Sequence, residues 1–433
     1  MDSLPDELLA QILAVVVGEE DTAFHVRRTL CLVNHRFCRI VSPWLYVAYE
    51  PHGTTNHLDF LLPLARHEVL ADAVKTVGYC AEGSREPSAA PLRIPKEVMS
   101  KIESLEFPVP QPLDYALARW DDELGLLALI SLTANLQELR VDQTSYEARH
   151  DQKNESPKRR IPIWLYPIRE AALGKSFGTA HSFDKLADFT IGMHAVKTDS
   201  IAPVFYLPSL RRLRLTNWVE DSNAATDWPV PAASSFIEEL SFVGCAAPAV
   251  PLAAMIVSCK TLRKFDFFYA GPGFTLSVDK FWLDRVGGAL LYQRDYLEHL
   301  DFFLPHPEDI SNRFPTSWRG RLGPLSRFSK LQFALYPVLG GLIARLEHDH
   351  DIETLLPPRS IVEIELRANS YEGETVTAIL DKLLKKHEEY PFLRSVSISV
   401  TARPLGDPLR LNDYTEMFAE HHIRFMFKTY GER

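Results

Sequence analysis

A short pattern, apolar at its first, fourth and sixth positions, returns along most of this chain and constrains its fold more than any other feature. Leu136, Leu139 and Val141 form one copy. Further copies stand at Leu186, Phe189, Ile191; Leu210, Leu213, Leu215; Ile237, Leu240, Phe242; Leu262, Phe265, Phe267; Leu297, Leu300, Phe302; Phe328, Leu331, Phe333; Ile361, Ile364, Leu366; and Leu393, Val396, Ile398. A weaker copy lies at Ile102, Leu105, Phe107, and Val74, Val77, Tyr79 is a candidate earlier one. Alternation of apolar and polar residues, as in Leu213-Arg214-Leu215, is the mark of a strand with one buried face. The copies recur at steps of 24 to 27 residues between Leu186 and Leu262, then 31 to 35 up to Leu393. Such a step holds one strand and one helix. Helical stretches are predicted at Asp121 to Thr133, Pro251 to Ser258, Asp279 to Gln293 and Glu374 to Glu388. In the last, Val376, Ile379, Leu380, Leu383 and Leu384 make one apolar stripe, Lys382, Lys385 and Lys386 lie outside it, and Pro391 follows its end. No single unit could stand alone, but stacked neighbours share a continuous core.

The amino-terminal stretch obeys a different period. Ser3, Pro5, Asp6 and Glu7 are residues that open a helix. Leu8, Leu9, Ile12, Leu13, Val16 and Val17 then recur at helical spacing, and Gly18 ends the run. A second helix is predicted from about Thr22 through Leu30 to Val33. A third follows the capping residue Asn34, carries Phe37, Ile40 and Val41, and is expected to stop at Ser42-Pro43. Three short helices cannot bury this much apolar surface among themselves, so their remaining faces are candidates for a lasting protein contact.

The order Leu4-Pro5-Asp6-Glu7-Leu8-Leu9, Ile12-Leu13, Leu30 through Phe37 and Trp44-Leu45-Tyr46 resembles an F-box of the kind common in fungal proteins. The segment from Ala14 to Thr29 departs from that pattern in being longer and more acidic. The later copies resemble the leucine-rich repeats that often follow an F-box. Cys245 and Asn369 stand at the ninth position, which in that family closes a backbone ladder inside the turn; most copies lack it. The resemblance implies an α/β chain with an N-terminal three-helix F-box at 1–50, a connecting segment and possible first repeat at 51–100, and an irregular leucine-rich-repeat solenoid over 101–433 with an insertion at about 143–185.

Composition narrows the classes of function. A net charge of −10 over 433 residues argues against a general nucleic-acid binder. Five scattered cysteines without a C-x-x-C pair favour reduced, buried thiols over disulfides or a zinc site. The apolar run Ile12 to Val17 is too short for a signal core, and no run approaches a membrane span. Asp2 excludes myristoylation, and the final residues hold no cysteine for prenylation. The expected location is cytoplasmic or nuclear.

Chemical motifs are few. Gly174-Lys175-Ser176-Phe177-Gly178 matches a nucleophile elbow, which needs a strand before it and a helix after it. Arg169 to Leu173 reads as helix instead. Glu347-His348-Asp349-His350-Asp351 gathers metal-ligand types, but adjacent ligands seldom converge on one ion, and it reads as a solvated acidic loop. The run Ser145 to Arg160, ending Lys158-Arg159-Arg160, reads as a solvated insertion. Trp228 in the turn-rich 220–234 segment is a plausible contact or a residue buried beneath its loop. No catalytic group, metal or cofactor is expected. The resemblance implies a non-enzymatic adaptor of a cullin-based ubiquitin ligase, docking on a Skp-type adaptor through Leu4, Pro5, Leu8, Ile12, Leu30, Val33 and Phe37. Outward strand residues Arg212, Arg214, Asp266, Asp301 and Glu365 are candidate contacts for a protein substrate. The alternatives are a repeat scaffold without a ubiquitin role and a divergent hydrolase using Ser176.

Overall fold

The computed structural model describes residues 4–17, 23–50, 57–80, 95–104, 121–142, 161–175, 182–193, 196–218, 228–245, 248–269, 280–303, 317–319, 322–337, 356–368, 373–401 and 409–430. They fall into two compact units, one of residues 1–190 and 195–210, the other of residues 191–194 and 211–433.

In the first unit the elements run α1 (Asp6–Val17), α2 (Ala23–Val33), α3 (His35–Leu45), β1 (Ala48–Tyr49), α4 (His57–Arg66), α5 (Glu68–Ala73), β2 (Thr76–Cys80), α6 (Lys96–Glu103), α7 (Asp121–Leu132), β3 (Glu138–Asp142), α8 (Leu165–Ala172), β4 (Asp188–Gly192, its last two residues counted with the second unit) and α9 (Thr198–Ile201). The second unit holds β5 (Arg212–Thr216), β6 (Glu239–Cys245), α10 (Ala249–Ser258), β7 (Lys264–Tyr269), β8 (Lys280–Trp282), α11 (Leu283–Tyr292), β9 (His299–Phe303), β10 (Ser317–Arg319), β11 (Phe333–Pro337), β12 (Glu363–Ala368), α12 (Gly373–Lys385), β13 (Ser395–Thr401), α13 (Leu409–Glu420) and β14 (Arg424–Tyr430).

Twelve strands form one open sheet in the order β1-β2-β3-β4-β5-β6-β7-β9-β11-β12-β13-β14, and β8 pairs with β10 apart from it. This is an α/β fold on a parallel sheet, and it corrects the expectation of a separate three-helix F-box followed by a leucine-rich-repeat solenoid. The physical reason lies at the end of α3. The chain passes within three residues into β1, which pairs in parallel with β2, so the N-terminal helices belong to the same unit as the first strands. The six-residue pattern specifies a strand with one buried face; it does not specify the architecture that strand joins.

Local chemistry explains two further corrections. Ile102 lies in α6, not in a strand: Val98 and Ile102 are both buried at a spacing of four, and the helical period governs. Pro43 does not stop α3, which continues to Leu45. Pro43 lacks the amide that would bond the Arg39 carbonyl, while the Ser42 hydroxyl donates to the Cys38 carbonyl at 2.6 Å and the Tyr46 amide to the Pro43 carbonyl at 3.1 Å. The cap at Asn34 forms as expected, its Oδ1 accepting from the Phe37 amide at 2.8 Å.

Within the second unit the register is continuous but for one shift between Val243 and Cys245 on β6. Leu213, Leu240, Phe265, Leu300, Ala334, Ile364, Val396 and Phe425 stand opposite one another on successive strands, all buried. Aromatic rings join neighbours along this inner face: Phe242 lies 5.9 Å from Phe265, and Phe267 stacks on Phe302 at 5.1 Å. Parallel neighbours in chain order require crossover connections, and right-handed crossovers all rise on the same face. The opposite face therefore carries the polar half of each strand. Cys245 closes one turn, accepting from the Trp218 amide at 3.4 Å and facing the Leu215 carbonyl at 3.5 Å; burial pushes its thiol up to about 12.

Candidate interaction surfaces

Two surfaces emerge, each described within its own unit. In the first unit, α1 packs Leu9 and Leu13 against Val41 of α3, and Leu30, Cys31, Phe37, Ile40 and Trp44 close round them, half-buried. Asp6 ties the start of α1 to α3. Arg36 Nε donates to its Oδ1 at 2.7 Å and Arg39 pairs with Oδ2, and these cations, Arg36 foremost, hold the Asp6 carboxyl below the usual carboxylate range. Arg36 also donates to the Leu4 carbonyl.

The other side of α1 has no such cover. At about 100° per residue, Leu8, Ile12, Val15 and Val16 fall within one narrow sector. They are 47%, 46%, 84% and 63% exposed. At the end of α2, Leu32 is 80% exposed, and Val33 is also in water. The seven predicted anchors therefore divide. Pro5, Leu8, Ile12 and Val33 are exposed, Leu30 and Phe37 serve the small core, and Leu4 is half-buried. Val15, Val16 and Leu32, outside the predicted seven, are exposed beside them. All three follow from the same helical periodicity once the buried side of each helix is known.

The second surface is the polar face of the second unit. Arg214, Ser241, Asp266, Asp301, Leu335, Glu365 and Ser397 form one row across the strands. Two residues further along lie Thr216, Val243, Phe268 and Phe303, and on later strands Pro337, Arg367, Ser399 and Lys428. Arg212 and Arg214 are exposed on β5. Glu365, expected outward and solvated, is buried, with Ser399 Oγ donating at 2.7 Å and Lys428 Nζ at 3.2 Å. Burial pushes its carboxyl up, but those donors outweigh it and leave it below its ordinary value.

Asp266 and Asp301 have the opposite balance. Burial raises both, Asp301 to about 6, with Lys264 and Arg367 respectively opposing it only in part. Beside them, burial and the Lys264 charge bring the His299 imidazole down to about 4, so it is neutral at pH 7. Its Nε2 at 3.5 Å from Asp266 Oδ1 is thus no ion pair at that pH. Arg367 lies over the Phe303 ring at 4.7 Å, with Nη1 4.0 Å from Asp301 Oδ1.

The chemical motifs place as follows. Ser176 and the 347–351 acidic stretch lie outside the described residues, as do Ser145 to Arg160 and Asn369. The residues that lead towards Ser176 form helix α8, where a nucleophile elbow would need a strand. Trp228 is half-buried with its indole Nε1 donating to Ser258 Oγ at 2.9 Å, a contact that pins its loop to α10. Among the described residues no group of three or more His, Cys, Asp or Glu could hold a metal ion, and no helix is long and apolar enough to cross a membrane. No protein-family model matches the chain, and no curated protein matches it.

Proposed function

We propose that this chain is a substrate-binding subunit of a cullin-based ubiquitin ligase, working in the cytoplasm or nucleus without catalytic groups of its own. Helices α1–α3 dock on a Skp-type adaptor, and the polar sheet face holds a protein substrate. The observation that carries this reading is the apolar strip Leu8, Ile12, Val15 and Val16, left in water on a helix whose other side is packed. Such a strip costs free energy in proportion to its area and marks an interaction site. Docking uses these helices as they stand in the α/β fold and needs no separate domain. Function then follows from proximity: holding the substrate near a conjugating enzyme raises its effective concentration.

Co-expression with a Skp-type adaptor followed by size-exclusion chromatography tests the reading. The native chain is expected to co-elute, and a Leu8→Asp, Ile12→Asp double variant is expected not to. Because both side chains are already about half exposed, the variant keeps its unfolding midpoint to within about 1 kcal/mol of stability. A folded native chain that never co-elutes supports instead an interaction scaffold with no ubiquitin role, for which the polar sheet face is enough.

A further inference from the structure

Two thiols meet at the corner between α2 and α3. Cys31 lies on the last turn of α2 and Cys38 on the first turn of α3, and both are half-buried. Their sulfurs share one hydroxyl: Ser42 Oγ stands 3.4 Å from Cys38 Sγ and 3.9 Å from Cys31 Sγ. Because the Ser42 proton goes to the Cys38 carbonyl at 2.6 Å, the Ser42 oxygen is left to accept from both thiols. The sulfurs are also neighbours of each other, the Cys38 thiol acting on Cys31 as a hydrogen-bond partner and by charge. Cys245 and Cys259 differ: both are fully buried, their sulfurs face backbone carbonyls at 3.5 Å, and burial pushes both thiols up. Of the four free cysteines described, Cys31 and Cys38 alone combine a neighbouring sulfur with access to solvent.

We propose that Cys31 and Cys38 form an oxidant-sensitive site, a dithiol that a hydroperoxide converts to a disulfide across the α2–α3 corner. The Cys38 sulfur attacks the peroxide, the O–O bond breaks, and one oxygen stays on sulfur as a sulfenic acid. The other leaves as water with the thiol proton. The Cys31 sulfur then attacks the Cys38 sulfur, the S–O bond breaks, and the second oxygen leaves as water with the Cys31 proton. Two thiols are oxidised and one peroxide is reduced to two waters. The order follows from burial, which with the adjacent sulfur pushes the Cys31 thiol up and reserves it for the second step. In a reducing compartment such a pair rests as thiols and closes only under oxidant.

The corner is part of the docking face. Leu32 and Val33, both exposed, stand between the two cysteines and just before the Asn34 cap. A disulfide brings the sulfurs from non-bonded contact to about 2.05 Å. It draws the end of α2 towards α3, and Leu32 and Val33 with it, so oxidation weakens adaptor docking. That consequence rests on the proposed docking role of α1–α3; the dithiol itself does not.

Peptide mapping of the full chain tests the site. Reduced chain is treated with dilute hydrogen peroxide, the remaining thiols are blocked with N-ethylmaleimide, and trypsin cuts after Arg28, Arg36 and Arg39. Cys31 then lies in peptide 29–36 and Cys38 in peptide 37–39. The expected product is these two peptides joined, and split again by dithiothreitol. In Cys31→Ser the same treatment is expected to leave a sulfenic acid on Cys38 that dimedone traps, with circular dichroism checking the fold. No joined peptide at peroxide levels that already oxidise the methionines of the native chain, or a disulfide from either cysteine to Cys80, Cys245 or Cys259 in its place, overturns the proposal. Adaptor binding is read on the same samples by co-elution over a dilution series. Oxidised chain is expected to bind at least about tenfold more weakly than reduced chain, with recovery in dithiothreitol and no response to peroxide in Cys38→Ser. A joined peptide with undiminished co-elution overturns the effect on docking. A reduced chain that never co-elutes overturns the docking reading and its regulation together, while the peptide map still decides the dithiol.

Discussion

Gln293 is the place where one wrong atom should cost most. The residue follows α11, is fully buried, and bridges that helix to the turn between α10 and β7. Its Oε1 accepts from the Leu262 amide at 3.1 Å, and its Nε2 donates to the Ile256 carbonyl at 3.1 Å and the Cys259 carbonyl at 2.7 Å. Gln293→Leu keeps the volume and removes all three bonds. The Leu262 amide and the Cys259 carbonyl then remain buried without a partner, at about 1–3 kcal/mol apiece, while the Ile256 carbonyl keeps the Cys259 amide at 3.2 Å, so a loss of about 2–6 kcal/mol is expected. Against a typical domain stability of about 5–15 kcal/mol this is a large fraction. For an m-value of about 2 kcal/mol/M the urea midpoint falls by about 1–3 M, read by circular dichroism and tryptophan fluorescence together. Gln293→Glu keeps only the bond from Leu262 and turns a charge towards two carbonyls; it should be worse at pH 7 than at pH 4. A Gln293→Leu variant within about 1 kcal/mol of the native chain would refute the reasoning, because the bridge would then be dispensable.

Neighbouring glycines on α11 should respond with opposite signs. A Cβ on Gly287 would stand 2.1 Å from the Leu322 carbonyl oxygen, so Gly287→Ala is expected to destabilise by about 2–3 kcal/mol, whereas a Cβ on Gly288 meets nothing within 4 Å and Gly288→Ala should stabilise by about 0.5–1 kcal/mol in the same urea titration. Stability against pH carries two opposing slopes at the polar face, where Lys264, Asp266, Glu365 and Arg367 surround the groups concerned. Asp301 has a folded pKa of about 6, above its unfolded value, so the folded state binds the extra proton and stability falls as pH rises towards 6; His299, lowered to about 4, makes stability rise with pH from 4 towards its unfolded value. Asp301→Asn should therefore steepen the rise in unfolding midpoint between pH 4 and 6, and His299→Gln should reverse it. An unchanged profile in both variants would count against the burial assigned to the pair.

Much of the sheet could be read from the sequence, because an amphipathic strand announces itself by alternation. Leu213 and Leu215 point inward and Arg212 and Arg214 outward, as their order requires. The pattern failed where another period fitted the same residues, as in Val98 and Ile102 on α6. It was silent where strands are short or lack a preceding copy: β1 has two residues, β8 and β10 three each, and β14 opens with Arg424 after a helix of unrelated pattern. The architecture itself was misjudged, since strand pairing between elements and the passage from α3 into β1 are not written in any single stretch. At the surfaces, the exposure of Leu8 and Ile12 follows from counting helical faces. The burial of Glu365 does not, because it depends on Ser399 and Lys428 from two other strands.

The proposed docking face on α1 and α2 is read directly by amide hydrogen exchange. Purified chain is mixed with a purified Skp-type adaptor, and peptides covering residues 6–17 and 23–33 are followed by mass spectrometry beside the free chain. Strong slowing of exchange is expected in both helices on mixing, absent in the Leu8→Asp, Ile12→Asp variant. Unchanged exchange in α1 and α2 at adaptor concentrations of about 100 μM would contradict it.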